Sequence, residues 1–253
     1  MTPSPESVLP TLGVLGGMGP AAGAEFLRVF VRLWPARSDQ EHPRVLLLSE
    51  PDIPDRTEAL AGRQPDPTAL IRSRLLLLNE WGANLLAVPC NTAFAFIDRF
   101  SHELPVPVVH PVRAAIAAAS RRAPEGAWLM ATDGTVACGL YQKHAAEQEY
   151  DLLIPDSSAQ AAVQRSLRAV KAGDLAEAAR SLTIAVGALR ATRPLPFLLG
   201  CTELSLAWQA AGDPGVAVDS LNVLAAECVR RLTPLTRRAG SAQRSLRRRE
   251  AAG

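Results

Sequence analysis

A weak internal duplication constrains this chain more than any other feature. Leu12-Gly-Val-Leu-Gly-Gly-Met-Gly-Pro20 leads from an apolar strand through a tight turn toward a helix, and Ala127-Trp-Leu-Met-Ala-Thr-Asp-Gly-Thr135 does the same about half a chain later. Further on in each half an apolar strand ends in small residues and then a cysteine. The first is Leu85-Leu-Ala-Val-Pro-Cys-Asn-Thr92 and the second is Phe197-Leu-Leu-Gly-Cys-Thr-Glu203, which sets Cys90 and Cys201 111 residues apart. Such a repeat predicts two similar α/β units. They face each other most simply across a pseudo-twofold cleft, with a cysteine on each wall at a strand end, where α/β proteins bind anions.

The rest of the pattern agrees. Short Leu/Val runs predict strands at Leu12–Leu15, Val45–Leu48, Leu85–Val88, Val106–Val109, Ala127–Ala131, Asp151–Ile154 and Phe197–Leu199. They contain few polar alternations, as parallel strands covered on both faces do. Helices are predicted at Ala21–Trp34 and Thr68–Trp81, the second with Leu70, Arg74, Leu77, Leu78 and Trp81 at helical spacing. Ser157–Leu189 is too long for one typical helix. Gly173 can stop the first half, and Asp174 with Glu177 can cap the second.

Composition narrows the class. A chain of 253 residues that is 48% hydrophobic holds one large domain or two small ones. Four cysteines (Cys90, Cys138, Cys201, Cys228), none at CxxC spacing, make neither a disulfide scaffold nor a structural zinc site. Met1–Val8 carries no positive charge ahead of an apolar stretch, and apolar runs such as Ala114–Ala119 fall far short of the ~18 residues of a membrane helix. The expected address is a reducing cytoplasm, with no membrane partner. The net charge of +2 is the balance of a −3 body and a +5 tail, because residues 237–253 hold six arginines against Glu250. No aromatic residue interrupts that tail to stack on a base, so it reads as a solvated, flexible terminus and no nucleic-acid partner is expected. Only Lys143 and Lys171 among the 27 basic residues are lysine, which singles them out.

Two facing cysteines permit a specific chemistry. At a helix start, the dipole and oriented amides favour a thiolate, lowering its pKa from ~8.5 toward neutrality. One thiolate can remove a proton from a carbon while the other thiol delivers one to the opposite face, which inverts the centre; each sulfur must lie roughly 3–3.5 Å from the reacting atom. The two ionisations would be coupled. Asn91, Thr92 and Thr202 offer donors for a carboxylate and the charge that builds on it. Glu203 can orient or deprotonate Cys201, and the Thr132–Thr135 turn adds donors. Cys138 and Cys228 read as small buried hydrophobes. The Gly16–Pro20 turn lacks both the Walker lysine and GxGxxG spacing, so no nucleotide is expected. His42, His102, His110 and His144 show no ligand spacing, so no metal is expected.

Leu12–Pro20, Pro54-Asp-Arg-Thr57, Pro89-Cys-Asn-Thr-Ala93 and Gly200-Cys-Thr-Glu-Leu204 together resemble the aspartate/glutamate racemase superfamily, nearest its aspartate racemase branch. The resemblance spans residues 12 to about 225. It implies two pseudo-symmetric α/β lobes, each a roughly four-stranded parallel sheet flanked by helices, with the active site between them. The lobes are expected at 1–112 with about 218–236, and at 113–217. It also implies catalysis without pyridoxal phosphate or metal, and a homodimer. Carried over by position, Cys90 and Cys201 are the acid/base pair, supported by Glu203. Arg56 and Lys171 contact a substrate's side-chain carboxylate, Asn91, Thr92, Ala93 and Thr202 surround the α-carboxylate, and Met18, Thr132 and Thr135 line the pocket. One position departs: Phe94 stands where the family often has histidine, which either packs or alters substrate choice and the Cys90 pKa. The expected function is a cofactor-independent amino-acid racemase acting on aspartate. The alternatives are an isomerase or epimerase of the same scaffold for another carboxylate, or a decayed carboxylate binder.

Overall fold

The computed structural model describes residues 10–234; the arginine-rich 237–253 lies outside the described residues. The first half runs β1 (Thr11–Gly16), α1 (Pro20–Leu33), β2 (Arg44–Ser49), α2 (Arg56–Leu60), α3 (Thr68–Glu80), β3 (Leu85–Ala87), α4 (Phe94–Ile97) and α5 (Pro111–Arg122). The second runs β4 (Ala127–Met130), α6 (Asp133–Ala137), α7 (Leu140–Ala146), β5 (Leu152–Leu153), α8 (Ser157–Lys171), α9 (Leu175–Thr192), β6 (Phe197–Leu199), α10 (Glu203–Ala210) and β7 (Ala217–Asp219). A last helix, α11, occupies 220–234.

Two parallel sheets result, ordered β2-β1-β3 and β5-β4-β6-β7. The first gains only a single bridge, Leu86 to Val108, where a fourth strand is predicted. Pro105 and Pro107 have no N–H to give a ladder, which limits that segment to one bridge. With the bridge counted, the two sheets have the same spatial order, so the duplication is one of topology. β7 is an addition that its three residues do not announce.

Alternation along each strand divides the core. In the first sheet Leu12, Val14, Leu85 and Ala87 meet Phe26, Val29 and Phe30 of α1 and Leu221, Leu224 and Cys228 of α11. In the second, Trp128, Met130, Phe197 and Leu199 meet Val163, Leu167, Leu182 and Val186 of α8 and α9. Leu86, Leu129, Leu198 and Val218 turn the other way into a cluster that joins both lobes through Val112, Ala115 and Ile116 of α5. Both faces of each sheet are covered, as parallel sheets require. The helix at 68–80 forms as predicted, but its buried stripe is Ile71, Leu75 and Leu78, while Trp81 is half exposed. The two stripes share Leu78, and the surface on which α3 packs selects the one that includes Ile71. The 157–189 break is as read, with Asp174 accepting from the Glu177 amide at 2.9 Å.

Candidate active site

Cys90 follows the carboxyl end of β3 and Cys201 follows that of β6, so the sheets deliver both thiols to one cleft. The first lobe lines it with Met18, Asp55, Arg56, Thr57, Cys90, Asn91 and Thr92, and the second with Thr132, Lys171, Cys201, Thr202 and Glu203. The loop carrying Met18 turns at Gly17, whose φ is +91°, and any side chain there would run into the backbone of Glu50. Arg56 opens α2, capped by Asp55, which accepts from the amides of Thr57 (2.8 Å) and Glu58 (3.1 Å).

The cleft is shut to a cavity of about 20 Å³, room for one water. Thr92 Oγ1 lies 3.2 Å from Thr132 Oγ1 and 2.8 Å from Thr135 Oγ1 across the lobes. Thr202 donates to the Pro89 carbonyl (3.0 Å), Lys171 pairs with Asp55 (3.3 Å), and Asn91 donates to Tyr141 (3.1 Å) and Ser220 (2.7 Å). Each such bond is worth ~0.5–1.5 kcal/mol net, so a small carboxylate offering equivalent partners can open the mouth. A far larger groove, about 950 Å³, lies between α5 and α11 and is lined by five arginines, but no thiol faces it.

The two thiols have opposite neighbours. The Arg56 guanidinium stands beside Cys90 and donates to the carbonyls of Met18 (3.0 Å), Ile53 (3.2 Å) and Pro54 (3.1 Å). Its Nε has no partner among the described residues. Cys201 donates to Glu203 Oε2 at 3.0 Å. Burial pushes the Cys90 thiol up, the Arg56 charge pulls it back in part, the Glu203 carboxylate adds to the rise and the Ala93 amide opposes it. Burial pushes Cys201 well above the ordinary thiol range, and the Glu203 carboxylate adds to the rise. By themselves the helix starts would lower both values, as expected from the sequence. In the closed cleft the loss of water outweighs the amides. Lys171 is held above its ordinary value: burial opposes this, but Asp55, Glu203 and Cys201 outweigh it.

Of the expected catalytic and substrate-contacting residues, all but Ala93 and Thr135 line the cavity; Lys143 does not. Thr135 still reaches it indirectly, through Thr92. Phe94 is fully buried, does not line the cavity and packs tilted against His110 with ring centroids 4.6 Å apart, so it serves packing. Cys228 is buried as expected; Cys138 is not, and sits exposed at the end of α6. Asp55, Thr57, Tyr141 and Ser220 were not singled out. The first two lay inside the Pro54–Thr57 motif, but nothing local marks Tyr141 or Ser220, which meet Asn91 only in the folded chain.

The chain matches the Asp/Glu/Hydantoin racemase family over residues 15–228. It belongs to that family. The aspartate racemase of Picrophilus torridus superposes with a TM-score of 0.77 at 25% identity, covering 91% of this chain and 94% of that one. The glutamate racemase isoform RacE1 of Bacillus anthracis shares the fold at a TM-score of 0.68 and 17% identity, over 89% and 82% of the two chains. A broad specificity amino-acid racemase, RacX of Bacillus subtilis, is 27% identical over 139 residues, 52% of this chain and only 59% of that relative. Among the described residues no helix is long and apolar enough to cross a membrane.

Proposed function

We propose that the chain is a cofactor-independent amino-acid racemase in which Cys90 and Cys201 act as base and acid on opposite faces of the α-carbon, with aspartate as first substrate. The observation that carries this reading is the pair itself: two buried thiols at topologically equivalent strand ends line one cavity. The thiolate beside Arg56 takes the α-proton, and the thiol bonded to Glu203 returns one from the other side; the roles exchange for the opposite enantiomer. Asn91 Oδ1, buried and without a partner among the described residues, suits the substrate's ammonium. Thr92, Thr132 and Thr202 suit the α-carboxylate and the charge that grows on it. Lys171 and the unpaired Nε of Arg56 favour a second carboxylate on the side chain. The lobe limits given above, a cytoplasmic location and homodimeric assembly belong to the same reading.

A broader substrate range is a second reading, favoured by one observation. Arg56 already bonds three backbone carbonyls and Lys171 is paired with Asp55, so both cations have partners within the protein. Incubation in deuterated water with each enantiomer of aspartate, glutamate and neutral amino acids, followed by proton NMR, separates the two. Loss of the α-proton from dicarboxylates alone supports the first reading, and loss from neutral amino acids too supports the second. No exchange from any of them rules out amino-acid racemisation.

A further inference from the structure

Behind the Cys90 wall, outside the cleft, three side chains that are far apart in sequence converge. Asp98 ends α4, His110 caps α5 and His144 lies within α7. One donor atom from each lies within 4.8 Å of the other two. His110 Nε2 is 3.3 Å from Asp98 Oδ1, and the two imidazole rings meet edge to face with centroids 4.9 Å apart. The sequence showed no ligand spacing because the three come from separate helices.

His144 makes this more than a hydrogen-bonded surface. It is 1% exposed, and its Nδ1 is 2.9 Å from Glu147 Oε2. That bond puts the ring proton on Nδ1 and leaves Nε2 a bare lone pair. Nε2 is buried and has no partner among the described residues. A buried acceptor left unmet is costly, and a carboxylate orienting a histidine through its other nitrogen is the usual support of a metal-bound imidazole. Beside Asp98 and His110 a cavity of about 250 Å³ opens to solvent and gives an ion a way in. The Phe94 ring closes the inner side.

We propose that Asp98, His110 and His144 form a site for one divalent transition-metal ion, with Glu147 as the residue that orients His144. Two imidazoles and one carboxylate suit zinc, nickel or cobalt over magnesium or calcium. The remaining coordination positions face the cavity. Binding through His110 Nε2 moves the ring proton from Nε2 to Nδ1 and so gives up the 3.3 Å cap bond that Nδ1 accepts from the Arg113 amide, which makes the affinity moderate. The ion would join α4, which follows directly from Cys90–Ala93, to α7, whose Tyr141 holds Asn91. It therefore stiffens one wall of the cleft and touches no reacting atom.

The test is nickel titration by calorimetry on full-length, tag-free protein, run beside the C90S/C201S double variant, since buried thiols are the obvious competing ligands. One equivalent of nickel bound by both proteins is the expected result. D98N and H110N, the latter keeping a side-chain cap, are expected to weaken binding by at least tenfold. E147Q is expected to weaken it by roughly ten- to a hundredfold. Circular-dichroism melts without metal show whether each variant is folded, and D98N carries the test should H110N fail, because Asp98 is at the surface. Three results overturn the site: no saturable uptake by the wild type, uptake lost when the thiols are removed, or uptake unchanged in D98N. None depends on racemisation, so the site and the proposed activity stand or fall separately.

Discussion

The two cysteine half-sites are built from the same piece of topology and have diverged in charge. In each, a buried parallel strand ends, one or two residues follow (Val88-Pro89 in the first, Gly200 in the second), and a thiol stands ahead of a helix. Cys90 then meets the Arg56 cation, whereas Cys201 meets the Glu203 carboxylate at 3.0 Å. Burial and the Glu203 carboxylate raise both, but Glu203 acts most strongly on Cys201 and only Cys90 has the Arg56 cation pulling it down, so Cys90 is the thiol more easily ionised and Cys201 the one held protonated. Duplication supplies two positions on opposite walls. In the mechanism proposed above, divergence would supply one base and one acid, which is what a two-base inversion needs at the start of each turnover. Two identical half-sites would share a proton ambiguously.

Removing either thiol is the largest break in this comparison. Cys90→Ala and Cys201→Ala are each expected to lower racemisation by about 10³ or more, since a positioned acid or base contributes ~10²–10⁴. Cys138→Ala and Cys228→Ala are expected to leave turnover near wild type, because neither thiol lines the cavity. Following both directions by polarimetry checks this, and full activity in either of the first two variants defeats the two-thiol assignment. Cys201→Ser sharpens it further: exchange of the enantiomer whose proton faces Cys90 should survive while racemisation does not.

Changing the neighbours is expected to cost less, about ten- to a hundredfold in rate, and to move the two limbs of the pH profile by unequal amounts. Activity needs one thiolate and one thiol. Glu203→Gln removes the anion that raises Cys201 most and Cys90 less, so the descending limb moves down further than the ascending one. Arg56→Lys moves the cation away from Cys90 and weakens its pull on the thiol, so the ascending limb moves up. Both variants narrow the bell, from opposite sides. A pH series of kcat/KM shows it, and limbs that move by the same amount would mean that the two thiols are not distinguished by these neighbours.

Much of this asymmetry could be read in the sequence. The strands, the split at Lys171–Asp174 and the cysteine pair follow from local apolar runs, a glycine stop and a repeat. Glu203 lies two residues from Cys201, so its partnership is local. Arg56 is 34 residues from Cys90, and the family resemblance placed it on a substrate carboxylate; only the folded chain brings it against the thiol. The direction of the pKa shifts was not legible, because it depends on how completely the lobes exclude water. The α3 face was misjudged because two overlapping stripes satisfy helical period, and only the partner surface chooses between them. The fourth strand of the first sheet failed at Pro105 and Pro107, where pattern suggested β and missing donors forbade a ladder. Tyr141, Ser220 and the Asp98–His110–His144 cluster arise from tertiary convergence alone.

The smallest expected effect probes how the unlike walls meet. Gly134 of α6 faces Thr57 of α2 across the mouth, and a Cβ there would sit 2.8 Å from Thr57 Oγ1 and 2.9 Å from its Cα. The second of those atoms is backbone, so Gly134→Ala must hold the lobes slightly apart. The open state is then favoured without any change to Cys90, Cys201 or their charged neighbours. Substrate that has to close the cleft binds a few-fold more weakly, consistent with an overpacking strain of about 1–3 kcal/mol partly relieved by opening. KM is expected to rise severalfold, and water admitted at the mouth eases the burial that raises both thiols, so both limbs of the pH profile move down together. Steady-state kinetics across pH distinguishes this from the neighbour variants. Limbs that move in opposite directions in Gly134→Ala would mean that closure itself, and not the flanking charges, sets which thiol carries the proton.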